Sequence, residues 1–76
     1  MNKMKSFYQY LMTYRNALKK TEMSLFAENV FYDHGFPKNS SDYHEVSHYL
    51  EMNGDYILDM SLFDEAWNAY MQHMGE

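Results

Sequence analysis

Seventy-six residues exclude a second domain, and the absence of Cys excludes a disulfide scaffold and a Cys-based zinc site while fitting a reducing cytosol. Five Phe, eight Tyr, one Trp and eight Met supply the apolar area that a core this small needs. The net charge of −5 is lopsided: Lys3, Lys5, Arg15, Lys19 and Lys20 stand in residues 1–20 without an acid, and Lys38 alone faces eleven acids beyond them, which sets most of the surface against nucleic acid and anionic membrane.

No apolar stretch follows Lys3 and Lys5 as a secretory leader requires, and no run reaches membrane-spanning length. The expectation is one cytoplasmic helical domain over residues 1–76, with its core at about 6–74. Ser6 and Gln9 have the spacing of a capping box. The first helix then runs from about Phe7 to Leu18, with Phe7, Tyr10, Leu11, Tyr14 and Leu18 on one face. Thr21 caps a second helix that ends near His34, with Gly35 in the left-handed position after it and Pro37 beyond. Met23, Phe26, Ala27 and Val30 form its main stripe, while Leu25, Tyr32 and Phe31 lie on other sides. Apolar residues on several sides predict the most enclosed element. Ser41 or Asp42 caps a third helix, Asp42 to Glu45 repeating the capping-box spacing; it buries Tyr43, Val46 and Leu50 and stops at Asn53-Gly54. Residues 55–60 connect to Ser61, read as the cap of a fourth helix with Asp64 and Glu65 in its first turn. Phe63, Ala66, Trp67, Tyr70 and Met74 make its stripe, and Gly75 ends it. No strand alternation and no internal repeat is present in the sequence. The fold class is therefore all-α, a compact four-helix bundle.

Four strings, taken in order, resemble one family. They are Ser6 through Arg15, Phe36-Pro37-Lys38, Asp42-Tyr43 with Tyr49-Leu50-Glu51, and Met60 through Trp67. Together they look like the YozE family, small proteins of Gram-positive bacteria, over roughly residues 6–70. The resemblance implies a helical bundle similar to the sterile alpha motif. That fold serves protein–protein contacts and sometimes nucleic-acid binding, which is analogy at the level of the fold. The resemblance implies no enzymatic activity and brings no catalytic residues.

His44-Glu45-Val46-Ser47-His48 matches H-E-x-x-H, in which two His one helical turn apart hold zinc and the Glu activates water. On the helical wheel Tyr43, Val46 and Leu50 point one way, while His44, His48 and Glu51 point nearly opposite. An outward His pair gives at most an adventitious surface chelate. No metal or other cofactor is expected. His34 and His73 read as residues of helix ends or core edges. No phosphate-binding glycine loop and no calcium loop occurs.

The candidate interaction residues lie in two places. Tyr8, Met12, Arg15 and Lys19 follow i, i+4, i+7 and i+11 on a continuous first helix. Two apolar side chains and two cations in line suit an acidic protein partner, or a nucleic-acid strand through stacking and phosphate contacts. They also suit the edge of a core, with the cations reaching out over it. Phe36 and Lys38 form a stiff basic corner at Pro37, which either packs on the preceding helix end or serves as a docking point. The expected function is a non-enzymatic binding module for a protein partner; the alternative is a nucleic-acid-binding module using the first helix, disfavoured by net charge. No membrane partner is expected.

Overall fold

The computed structural model describes residues 5–16 and 20–75. Helix α1 spans Phe7–Leu11 and passes into a 3-10 turn at Met12–Asn16. Helices α2 (Glu22–Tyr32), α3 (Tyr43–Asn53) and α4 (Met60–Met74) follow, and no strand occurs among the described residues. Among the described residues no helix is long and apolar enough to cross a membrane.

The caps explain most of the boundaries. Ser6 Oγ accepts the Gln9 N–H at 3.1 Å, and the Gln9 side chain accepts the Ser6 N–H, so both halves of the box form. Thr21 and Ser24 repeat this reciprocal pair at α2. Asp42, rather than Ser41, caps α3 by accepting the His44 N–H at 3.1 Å. Gly54 ends that helix. A Cβ there would lie 2.7 Å from the Leu50 carbonyl oxygen, a distance that side-chain-bearing residues do not tolerate.

Several expectations are corrected. The first helix does not continue to Leu18 as one α-helix. After Leu11 the chain tightens to the 3-10 pitch, and the Thr13 hydroxyl donates to the Tyr10 carbonyl at 2.7 Å; Leu18 itself lies outside the described residues. The second helix stops at Tyr32, not near His34, and no glycine among the described residues has positive φ. Asp33 turns into extended backbone because its carboxylate is taken by Tyr49 and Tyr56. Asp59, not Ser61, caps α4 by accepting the Ser61 N–H at 2.9 Å, which moves Asp64 and Glu65 out of the first turn. Finally, α2 is not enclosed on all sides. Phe26, Ala27 and Val30 are buried, while Leu25, Phe31 and Tyr32 face solvent.

The core is largely aromatic. Phe7 meets Phe63 edge-on at 5.6 Å, Tyr70 edge-on at 5.6 Å and Trp67 at 5.0 Å, joining α1 to α4. Leu11, Val30, Val46 and Leu50 fill the space between the rings. Tyr43 is not buried as its stripe predicts; it lies over the core edge, stacked on Phe63 at 5.4 Å, with its hydroxyl donating to Asp64. The loop after α2 is fastened to the start of α1: Phe7 N–H donates to the Ser40 carbonyl at 3.1 Å and Ser6 Oγ to the Lys38 carbonyl at 2.7 Å. The Tyr70 hydroxyl donates to the Lys5 carbonyl, closing the C-terminal helix onto the N-terminal segment.

Candidate interaction surface

The proposed stripe on the first helix is largely engaged within the molecule. Tyr8 is half-buried, its ring 6.0 Å from that of Phe36, and Lys38 Nζ lies 5.6 Å above its centroid. Met12 is partly buried against the core. Arg15 belongs to the 3-10 turn, where residues three apart eclipse one another and the spacing of a continuous α-helix no longer applies. Its Nε donates to Glu28 Oε1 at 3.2 Å, and its guanidinium sits 3.6 Å over the Phe31 ring. Lys19 lies outside the described residues. Phe36 is corrected as an exposed docking point: at 3 % exposure it is buried, with its ring edge-on to Tyr49 at 5.6 Å. Lys38 donates to the His34 carbonyl at 3.4 Å, a local contact within the loop after α2.

Asp33 gathers a polar cluster behind that corner. Tyr49 donates to both carboxylate oxygens at 2.7 and 2.9 Å, Tyr56 to one at 2.8 Å, and the Gly35 N–H to the other at 3.2 Å. Burial alone pushes the Asp33 carboxyl up. The bonds from Tyr49, Tyr56 and Gly35, with the charge of Lys38, outweigh it and hold the group below its ordinary value. Burial and the same carboxylate push Tyr49 up to about 12 and Tyr56 higher. Every polar atom here has a partner within the fold, so the cluster ties α2, α3 and the following connector together rather than offering a site. Gly35 leaves room for this approach: a Cβ would stand 3.0 Å from the Tyr49 hydroxyl, and the phenol would have to give by a few tenths of an ångström.

His44 and His48 are exposed while Val46 between them is fully buried, as the wheel requires. Among the described residues no three His, Asp or Glu side chains gather as a metal-ligand set.

A surface that sequence reasoning did not single out lies between α2 and α4. There a groove of about 350 Å³ has Leu25, Phe26, Ile57, Leu58 and Leu62 in its lining. Leu58 is 98 % exposed and Leu25 52 % exposed. The groove's charged residues are Glu22, Asp59 and Glu65, all acids. Asp59 is held below its ordinary value, first by the Ser61 backbone N–H and then by the Ser61 side chain, so it stays ionised while it caps α4. The connector poses Leu58 outward because its neighbours are committed: Ile57 N–H donates to the Gly54 carbonyl at 3.0 Å, and the Asp59 carbonyl accepts from Leu62 N–H at 3.0 Å. The signal available in the sequence was the apolar pair Ile57-Leu58 inside a connector flanked by Asp55 and Asp59.

Comparison with known proteins gives consistent relationships. Residues 6–72 match the family described as the YozE SAM-like fold. The UPF0346 protein YozE of Bacillus subtilis is 55 % identical over 67 residues, covering 88 % of this chain and 90 % of the relative. A UPF0346 protein of Bacillus licheniformis is 56 % identical over 68 residues, 90 % of this chain and 93 % of its own. One from Ligilactobacillus salivarius is 50 % identical over 75 residues, 99 % of this chain and the whole of the relative. The solution NMR structure of the Bacillus subtilis protein superimposes with a TM-score of 0.75, covering 88 % of this chain and 82 % of that one.

Proposed function

We propose, from the premise that this chain belongs to the YozE SAM-like family, that it works as a non-enzymatic protein-binding module of the cytoplasm. The observation that carries this reading is Leu58, a large apolar side chain held almost wholly in water at the mouth of an apolar groove. Exposing it costs solvation free energy in the isolated chain, and burying it against a partner recovers about 1.5–3 kcal/mol.

The nucleic-acid alternative draws less support. It relied on Tyr8 and Arg15 standing free on one face, but Tyr8 is partly covered by Phe36 and Lys38, and Arg15 is paired with Glu28 and stacked on Phe31. The test is capture from a native-cell lysate on the immobilised chain, with and without nuclease, beside the Leu58→Asp chain. A protein retained after nuclease by the parent chain and lost from Leu58→Asp is the expected result. Retention that nuclease abolishes reverses the ranking of protein over nucleic acid, and retention of nothing overturns the binding reading altogether.

A further inference from the structure

Resting on the protein-binding reading, we infer that the α2–α4 groove receives a basic amphipathic helix of a partner protein, seating an apolar anchor on Leu25 and Leu62 beside Leu58 and pairing flanking Lys or Arg with Glu22, Asp59 and Glu65. Glu22, Leu25, Phe26 and Asn29 are spaced i, i+3, i+4 and i+7 on α2, while Ser61, Leu62 and Glu65 present a matching face of α4. Two helix faces with an apolar floor between them are the geometry of helix-in-groove recognition. The volume of about 350 Å³ lies near the lower end of ligand sites, which suits a few anchor side chains rather than a large cofactor.

Charge selects the occupant. The groove lining has three acids and no base, so an acidic segment is repelled and a neutral one leaves the carboxylates unpaired. Among the described residues no base pairs with them: Lys38 sits on the loop after α2 with its ammonium at the His34 carbonyl, and Lys20, two residues before Glu22, makes no ion pair with the groove's acids. A second copy of this chain is a poor occupant, because its Arg15 is committed to Glu28 and Phe31 and its Phe7 and Leu11 to the core.

The test uses the full chain and three labelled helix-forming peptides: one with Leu on one face flanked by Lys, one with Glu replacing the Lys, and one with Ser replacing the Leu. Fluorescence anisotropy reads affinity, and amide chemical shifts locate binding. The Leu/Lys peptide is expected to bind saturably, with shifts centred on Leu25, Leu58 and Leu62. Its affinity should exceed that of either control by about tenfold or more and fall with salt. Leu58→Asp, at a position that contributes almost nothing to the folded core, should weaken it by about tenfold. The Glu22→Lys/Glu65→Lys double variant should transfer preference to the Leu/Glu peptide. Equal binding of the Lys- and Glu-flanked peptides overturns the inferred occupant, as does a dimer in sedimentation that Leu58→Asp dissolves. Saturable binding with shifts elsewhere, or no binding at all, overturns the site. The wider reading fails separately, on an empty capture experiment.

Discussion

Asp33 shows how one side chain sets a local structure and a pH response. Two phenols and one backbone N–H converge on a partly buried carboxylate, and bonds to a charged acceptor are worth more than neutral ones. Asp33→Ala should lower unfolding free energy by about 2 kcal/mol and Tyr56→Phe by about 1 kcal/mol, measured by urea denaturation near neutral pH. Because the native carboxyl lies below its ordinary value, its stabilisation is complete above about pH 4, and it is lost as pH falls through the native value. Tyr49 works in the opposite sense. Its native value of about 12 is raised, so its share is complete below about pH 10 and is lost as pH rises through about 12. An Asp33→Ala chain that loses stability in acid as steeply as the parent would show that the cluster does not govern the acid limb.

At the scale of elements, α1 depends on its attachments, since five residues are far below the length at which an isolated helix persists. Ser6 both caps α1 and donates across to the Lys38 carbonyl. Ser6→Ala should therefore cost about 1–2 kcal/mol in thermal or urea unfolding, more than the loss of an exposed cap. Arg15 anchors the 3-10 turn to α2 through Glu28 and Phe31, so Arg15→Ala should cost about 1 kcal/mol, and that cost should shrink in high salt; an unchanged melting temperature would return Arg15 to the candidate binding residues. These elements also show what the sequence makes legible. The box at Ser6, the cap at Thr21 and the stop at Gly54 were readable because their partners lie within four residues. The end of α2 was not, because Asp33 is recruited by Tyr49 and Tyr56 from distant sequence. The 3-10 turn was not, because Arg15 answers to α2 rather than to its own helix. At α4 the cap lies two residues before the expected Ser61, where Asp59 offers a charged acceptor in place of a hydroxyl.

At the scale of the whole molecule, the chain ends are locked together by rings. Trp67, 8 % exposed, packs within 5.0 Å of both Phe7 and Tyr70, so Trp67→Ala should cost about 3–5 kcal/mol, most of the margin of a domain this size. That stripe was legible from helical periodicity alone. The groove was not, because it exists only when α2, the connector and α4 are brought side by side, and no periodic pattern marks Leu58. The same assembly decides the charge question. Among the described bases Lys5 and Lys20 are exposed, whereas Arg15 and Lys38 are engaged and the remaining surface is acidic. Even with Lys3 and Lys19 counted beside them, four bases release few counterions, and the salt slope of any nucleic-acid binding should be no steeper than about −4. Eleven acids on the same small body oppose the approach of a polyanion and remove what those few contacts gain. Gel-shift titrations against single- and double-stranded DNA and RNA should therefore show weak, sequence-independent binding at low salt that disappears at physiological salt. Submicromolar affinity that persists there and is abolished by Lys5→Ala with Lys20→Ala would establish phosphate contacts by these bases and move the functional reading from protein to nucleic acid.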